Sequence, residues 1–381
     1  MSTTTVSSTS APVVVAPTAV PIAPPPPPPP PPSPVVTLPP PPPPAPVISA
    51  SLAATIALLQ STVSAAQVAA ASVAPQPYSI VLGTTNKSVN DSHNNATITG
   101  SSGNFSITES GSGAMITVGN GNDVINAGTG ATVVAGMGDQ NITLSGLGNR
   151  VSVGNTIGGA ADLTTIKFGT GSAIVESGDG NMNVSGSGSN NAITLGNGND
   201  VVTITASSGF MTANTIKAGN GNNTITISGQ QDNISVGNGN NTITINTNGS
   251  GDTHDVVHLG LGTNMVFCNS NGATIYTGGG HDTVSGGSDN TFVLNTAGEA
   301  LSIWGFAPGS GDKLDLTQLL QGVSLAHDLS NLSQYVTIGY GTATNTGLTI
   351  HGAFGVDTVH LLGSGNLTMS QLVSSFVLPT H

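Results

Sequence analysis

Four short glycine–asparagine turns contain the residues of this sequence whose types and spacing are best suited to chemistry. They read GNGNDVIN from Gly119, GNGNDVVT from Gly196, and GNGNNTIT from Gly219 and again from Gly237. Two of the four carry aspartate at the fifth position and two carry asparagine. A calcium ion takes six to eight oxygen ligands, and a glycine-rich turn can supply both carbonyl and carboxylate oxygens. The turns are therefore candidate calcium loops, and the alternative is that they are structural turns only.

Three turns match a calcium loop best, because each of them ends on an aspartate. They are the two GNGND turns and a third that reads GGGHD. In nonapeptide repeats of the form G-G-x-G-x-D-x-U-x, the glycines let the backbone turn, the aspartates of stacked turns supply charge, and the apolar residue U points into the core. The predicted calcium ligands are Gly119, Gly121, Asp123, Gly196, Gly198, Asp200, Gly278, Gly280 and Asp282.

The other two GNGN turns carry asparagine where the aspartate would be, at Asn223 and Asn241. An asparagine oxygen can bind calcium, but it contributes no charge, so the affinity should be lower. Stacked asparagines can instead hydrogen-bond along a column of turns without a metal. We therefore predict a calcium-binding array that is diluted with metal-free turns.

Glycine pairs of the form Gly-x-Gly recur through the middle of the chain. They begin at Gly119, Gly128, Gly136 and Gly146, at intervals of nine, eight and ten residues, and the same set returns fifty residues later. A repeat this short holds one turn and one strand, and the strand is buried only by stacking on its neighbours. We therefore predict an all-β fold, a parallel β-roll or β-helix solenoid, over residues 78–295.

Three longer intervals of twenty-three residues interrupt this rhythm. The extra residues fall in loops near 155–162, 206–213 and 247–254. Insertions in a solenoid commonly gather on one working face. We therefore expect the three loops to project together.

The segments that flank the repeats have different compositions. Residues 1–47 are rich in proline, which predicts a disordered spacer with polyproline II segments. Residues 48–74 are rich in alanine, with apolar residues at helical spacing, which predicts a helix that packs on a neighbour. A membrane span is not favoured there, because Ala, Ser and Thr dominate. Residues 296–381 lack the glycine rhythm and predict a small β-rich C-terminal domain.

Composition excludes several classes of function. The formal net charge is −13, with only five Lys and Arg, so the basic footprint of a nucleic-acid-binding protein is missing. Cys268 is the single cysteine, which favours a small buried side chain over a nucleophile. The start, MSTTTVSSTSAPVVV, lacks the basic region of a secretory signal peptide. We therefore expect no cleaved N-terminal signal.

The ordered combination of these features resembles the RTX family of repeat proteins. The repeats from Gly119 to Val293 carry the resemblance, together with the following WGFAPGSGDKLDLTQLL segment and the SSFVL near the end. The resemblance implies a parallel β-roll that binds Ca²⁺. It also implies an uncleaved export signal in residues 296–381, recognised by a type I secretion apparatus, and hence a secreted, extracellular protein associated with a cell surface.

Enzyme chemistry is not expected from this sequence. HDVVH, from His254 to His258, resembles a zinc-protease motif, but that chemistry needs a helix, and the repeat alignment predicts a strand here. We expect a secreted, calcium-associated repeat protein with a structural or adhesive role at a bacterial surface or in its matrix. Besides calcium and the secretion apparatus, the partners considered are a surface polysaccharide and further copies of the chain. The alternative is a carbohydrate-active or glycan-binding β-helix that uses the three long loops.

Overall fold

The computed structural model describes most of the chain from Tyr78 onward. The described residues are 78–83, 87–155, 163–205, 213–246, 254–295, 298–323, 329–342, 344–352 and 355–379. The predicted spacer 1–47 and the predicted helix 48–74 lie outside the described residues. Within the described ranges, no helix is both long and apolar enough to cross a membrane.

The chain folds as a parallel β-solenoid in which successive strands alternate between two sheets. Sheet A takes the odd-numbered strands to β25 and sheet B the even-numbered strands to β24. The strands are β1 (Ser79–Leu82), β2 (Ser88–Asp91), β3 (Thr97–Gly100), β4 (Ser106–Glu109), β5 (Met115–Thr117), β6 (Val124–Ala127), β7 (Thr132–Ala135), β8 (Asn141–Leu144), β9 (Asn149–Val153), β10 (Leu163–Thr170), β11 (Ala173–Ser177), β12 (Asn181–Ser187), β13 (Ala192–Thr194), β14 (Val201–Thr205), β15 (Thr215–Ala218), β16 (Thr224–Ser228), β17 (Asn233–Val236), β18 (Thr242–Asn246), β19 (Val256–His258), β20 (Met265–Cys268), β21 (Thr274–Thr277), β22 (His281–Ser285), β23 (Thr291–Leu294), β24 (Ala300–Trp304) and β25 (Lys313–Asp315).

The core is a pair of facing columns of apolar side chains, one from each sheet. Side chains along a strand point alternately inward and outward, so each short strand contributes one or two residues to the core. In sheet A, Ile98 pairs in register with Ile116, and Ile116 with Val133, and all three are fully buried. In sheet B, Ile107 and Ile125 form the equivalent column. The predicted all-β parallel solenoid is confirmed.

Glycine is required in the turns because consecutive turns touch. Gly221 has a φ of 138°, and a Cβ atom added there would lie 1.8 Å from the carbonyl oxygen of Gly198 in the preceding turn. Gly239 repeats this relation with Gly221, at 2.0 Å. The glycine rhythm of the sequence therefore reflects the close stacking of turns.

The two sheets continue past Asn295 without a break. β24 pairs with β22, and β25 pairs with β23, both in parallel. The remaining elements are α1 (Leu329–Leu332), β26 (Val336–Thr342), β27 (Asn345–Gly352), β28 (Gly355–Leu362), α2 (Met369–Leu372) and β29 (Phe376–Val377), with short 3-10 helices at Pro308–Ser310 and Val373–Ser375. β28 and β29 extend the parallel sheets, while β26 and β27 add an antiparallel end to sheet B. The boundary predicted at residue 296 therefore falls inside the sheets.

The three long loops do not leave the solenoid from one edge. The first connects β9 of sheet A to β10 of sheet B, whereas the second (β14 to β15) and the third (β18 to β19) run from sheet B to sheet A. The prediction that all three share one face is therefore wrong. Most of the loop residues, 156–162, 206–212 and 247–253, lie outside the described residues.

Candidate functional site: two internal ladders of amides and acids

All of the predicted calcium ligands lie in the turns that lead from sheet A to sheet B, here called the first edge, or at the start of the strand that follows the turn. Asp123 and Asp200 directly precede β6 and β14, and Asp282 is the second residue of β22. The strand register places these three aspartates in one column parallel to the stack. The same column continues through Gln140, Thr164, Met182, Asn223, Asn241 and Asn264.

The structure brings no two of these three aspartates together. Three other residues of the column separate Asp123 from Asp200, and three more separate Asp200 from Asp282. With strands about 4.8 Å apart, each gap is roughly 19 Å. The three carboxylates therefore cannot share one ion.

Each aspartate instead accepts a backbone hydrogen bond from the preceding turn. The amide of Phe105 donates to Oδ1 of Asp123 at 2.8 Å, and the amide of Met182 donates to Oδ1 of Asp200 at 2.9 Å. The amide of Asn264 donates to Oδ1 of Asp282 at 3.1 Å. All three aspartates are at most 1% exposed. They belong to an internal ladder that joins one turn to the next.

Asparagine completes this ladder in both directions. Nδ2 of Asn223 donates to Oδ1 of Asn241 at 2.9 Å and to the carbonyl of Gly219, in its own turn, at 3.1 Å. Nδ2 of Asn241 likewise donates to Oδ1 of Asn264 at 2.9 Å and to the carbonyl of Gly237 at 3.2 Å. The amide group thus meets an acceptor on its NH₂ side and a donor on its oxygen side.

Aspartate places an acceptor where asparagine has its donor. Oδ2 of Asp123 and Oδ2 of Asp200 are buried and have no hydrogen-bond partner among the described residues. Burial raises the pKa of both carboxyls, and that of Asp200 reaches about 6. The backbone hydrogen bond to each carboxyl lowers its pKa, but this effect is smaller than that of burial. A protonated Oδ2 is itself a donor, so the neutral acid can take the place of an amide.

The ladder engages groups that a calcium shell would need. At each aspartate one carboxylate oxygen is already an acceptor in the ladder, and at Asp123 the next side chain of the column also occupies a carbonyl of the turn. Nε2 of Gln140, beside Asp123, donates to the carbonyl of Gly121 at 2.6 Å. In the part of the chain that the structure describes, no three His, Cys, Asp or Glu side chains are grouped to hold a metal ion. Calcium binding stays a prediction.

A second internal ladder, which the sequence analysis missed, runs along the opposite edge. It lies at the turns that lead from sheet B to sheet A, with each member directly before a strand of sheet A or, for Asn149, at the first position of the strand. Asn191 donates to Oδ1 of Asn214 through its backbone amide at 3.1 Å and its Nδ2 at 2.9 Å. Asn214 makes the same two bonds to Asp232, both at 2.9 Å. The other polar members are Asn149, Asp255, Asn290 and Asp312.

Two acids are neighbours in this second ladder. The backbone amide of Asp232 donates to Oδ1 of Asp255 at 2.9 Å. Both residues are fully buried, and both Oδ2 atoms have no hydrogen-bond partner among the described residues. Burial, together with the neighbouring Asp255, raises the pKa of Asp232 to about 6.

Two more buried acids, Glu299 and Asp357, lie near Asp282 where the first edge meets the C-terminal strands. Glu299 accepts a 2.7 Å hydrogen bond from Oγ1 of Thr277, and its backbone amide donates to Oδ1 of Asp357 at 2.8 Å. Burial raises the pKa of Glu299 to about 8, and the nearby Asp282 and Asp357 add to this rise. Glu299 is therefore also positioned to hold a proton in the folded state.

The two asparagines of each GNGN sequence form further ladders on the exposed side of the turns. The amide of Asn220 donates to Oδ1 of Asn197 at 3.0 Å, and that of Asn222 donates to Oδ1 of Asn199 at 2.8 Å. In these outer ladders each oxygen accepts from the following turn, whereas in the inner ladder it accepts from the preceding one. Every side chain of a GNGNN turn is therefore used to join turns.

The remaining motifs do not assemble a site. The last three residues of HDVVH form β19, so the predicted strand is confirmed for that part of the motif; Asp255 is buried in the second ladder, and His258 stacks on Tyr276 with the rings 4.2 Å apart. Cys268 is buried, as predicted.

Comparison of the chain with known proteins found no match to a family model, to a curated protein or to a solved structure. The functional argument therefore rests on the residues of this chain.

Proposed function

We propose that this protein is a structural repeat protein that works outside the cell, as an adhesive or matrix-forming element at a bacterial surface. The observation that carries the proposal is the pair of internal ladders, which joins turn to turn along both edges of the stack. In addition, sheet A has fourteen strands, which at about 4.8 Å each gives a stack of roughly 60 Å. A long, repetitive, side-chain-bonded rod suits a mechanical role.

In this proposal the ladders, and not calcium, hold the turns together. A buried amide that is bonded on both sides contributes about 1 kcal/mol for each hydrogen bond, and its loss leaves unpaired groups that cost more. Because the bonds recur at many turns, their contributions accumulate along the solenoid. Such a rod would keep its fold in an environment of varying calcium.

Export through a type I apparatus remains part of the proposal. The segment expected to carry the signal includes α2 and β29, where Phe376 pairs with Leu314 of sheet A. We expect a passenger protein fused to residues 296–381 to be exported by cells that contain the apparatus. Efficient secretion of a chain that lacks these residues would contradict the assignment.

The test of the proposed function is the location of the full chain and the effect of its loss. Fractionation and immunolabelling of the producing cells should find the chain in the medium or on the surface. Deletion of its gene should weaken attachment of the cells to a surface or to their matrix. A chain that stays inside the cell, with attachment unchanged after deletion, would overturn the proposal.

A further inference from the structure

The outer face of sheet B changes character along the stack. On β14, β16 and β18 the outward residues are mostly threonines, such as Thr203, Thr226 and Thr244. From β20 onward the outward residues include aromatic side chains: Phe267 is 43% exposed and Trp304 is 54% exposed. Trp304 is the only tryptophan of the chain. Large aromatic side chains that stay half exposed on a flat sheet indicate a contact surface.

The two aromatic side chains stand in one column with a hydroxyl between them. Phe267 pairs in register with Ser285, and Ser285 pairs with Trp304. Two strand spacings separate the aromatic residues, roughly 9.6 Å. The neighbouring outward column continues this face with Met265, Thr283, Ser302 and His360.

This face carries almost no charge, although the chain has a net charge of −13. The outward residues of β20, β22 and β24 include no Asp, Glu, Lys or Arg, and His281 is their only titratable side chain. The buried acids of these strands, such as Asp282, point inward. This face therefore offers aromatic rings and hydroxyl groups to a partner, and it offers no fixed charge.

We propose that Phe267 and Trp304 form a platform that binds a neutral polysaccharide. The chain of the polysaccharide runs along the stack, with one sugar ring on each aromatic side chain and the intervening part over Ser285. Sugar rings present apolar C–H faces and hydroxyl edges, which match aromatic rings flanked by the hydroxyls of Thr283 and Ser302. The platform deepens the adhesive part of the proposed function, on which it rests, and it does not use the three long loops.

The interrupted pattern favours a glycan over a second copy of this chain. Protein interfaces have a continuous, closely packed apolar centre. Here the rung of Thr283 and Ser285 separates Phe267 from Trp304, so no continuous apolar patch forms. A polymer whose rings recur at a regular distance contacts both aromatic side chains without closing that gap.

The sole tryptophan makes a direct experiment possible on the full chain. Titration with cellohexaose, and separately with N-acetylchitohexaose, should give a saturable change in Trp304 fluorescence for at least one of them. The full chain should also be retained by the matching insoluble cellulose or chitin. F267A should weaken binding about tenfold or more, which is about 1.4 kcal/mol. W304A should abolish retention, and W304F should keep part of it.

A matched control removes an exposed apolar side chain elsewhere. Met115 is 53% exposed on the outer face of sheet A, so M115A should leave binding unchanged. Circular dichroism checks that each variant is folded.

Two outcomes would overturn the platform. One is the absence of any saturable fluorescence change or retention with these neutral glycans. The other is a fluorescence change that depends on protein concentration alone and disappears in F267A, which would assign the face to a second copy of the chain. Neither outcome depends on where the protein is located, so failure of the platform is distinguishable from failure of the proposed function.

Discussion

At the scale of single residues, the exchange of asparagine for aspartate decides how a turn is held. Asn241 donates to Oδ1 of Asn264 and to backbone carbonyls, while Oδ2 of Asp200, at the same point of the turn, has no partner among the described residues. The two side chains have the same shape, but Nδ2 of asparagine carries two N–H donors, whereas Oδ2 of aspartate carries none when ionised and one when protonated. Aspartate in the ladder is therefore stable as a neutral acid, and it is costly as an anion facing carbonyl oxygens.

Replacing a ladder asparagine by aspartate tests this directly. N241D should lower the free energy of unfolding by about 1–3 kcal/mol at pH 8, because the donors to Asn264 and to the turn carbonyls are lost. At pH 4 much of this loss should return, because the new acid can be protonated. Denaturant unfolding at the two pH values measures the effect. Equal destabilisation at both would show that the proton does not replace the amide.

The reverse change should stabilise the protein at neutral and basic pH. The pKa of Asp232 is raised to about 6, so the folded state keeps a proton that the unfolded chain releases from about pH 4 upward. Stability therefore falls as the pH rises from about 4 to about 6, and Glu299, with a pKa of about 8, extends the fall to about pH 8. D232N has no proton to lose at this position.

We expect D232N to melt at a higher temperature than the parent at pH 8, with the smallest difference near pH 4. Thermal melts monitored by circular dichroism across this range measure it. D139N is a suitable control, because Asp139 lies in an exposed ladder and accepts the amide of Leu163 at 2.9 Å. A pH profile of D232N parallel to that of the parent would contradict the assignment of a buried proton to Asp232.

At the scale of elements, the glycines of the first edge set how closely turns can stack. Gly221 has a positive φ, and a Cβ atom added there would lie 1.8 Å from the carbonyl oxygen of Gly198. G221A should therefore cost at least about 2 kcal/mol, from backbone strain and steric overlap together. G309A is the control, because Gly309 has open space around its Cβ position. Equal unfolding midpoints for the two variants would show that the turns can separate without cost.

The strands were predictable from the sequence, because inward apolar residues such as Ile225 and Ile243 alternate with outward threonines. The edge from which each long loop leaves is also encoded in the sequence, in the number of strands between one loop and the next. Five strands lie between the first and second loops and four between the second and third. An odd number of strands changes the edge and an even number keeps it. Whether two loops share an edge is therefore decided by whether an even or an odd number of strands lies between them. The similarity of their sequences does not decide it.

The buried ladders were only half predictable. The position of Asp123 in a stacked column follows from the repeat, but its role depends on which groups face it, and those come from other turns. The turns of the second ladder share no single glycine signature, because Gly-x-Gly precedes Asn149 at Gly146 but is missing from the turn before Asp232. Its one signal is an asparagine or aspartate directly before alternate strands, which becomes meaningful only once the strands are assigned to sheets.

At the scale of the whole molecule, the question is whether calcium or hydrogen bonding organises the stack. Calcium bound only by the folded state would stabilise it by RT ln(1 + [L]/Kd), about 2.7 kcal/mol for each site at a hundredfold excess over Kd. If instead the buried carboxyls hold protons in the folded state, stability responds to pH and not to calcium.

The variant D123N/D200N/D282N distinguishes stabilisation by calcium from stabilisation by the hydrogen-bonded ladders. If the aspartates were calcium ligands, the parent would melt higher in calcium than in a chelator, and the variant would lose this response. With the aspartates roughly 19 Å apart and bonded into the ladder, we expect the parent to melt at the same temperature in both. The variant gains amide donors at Asp123 and Asp200, so it should melt higher than the parent at pH 8, with or without calcium. A calcium-dependent rise in the melting temperature of the parent that the variant lacks would restore the calcium interpretation and refute the ladder of neutral acids.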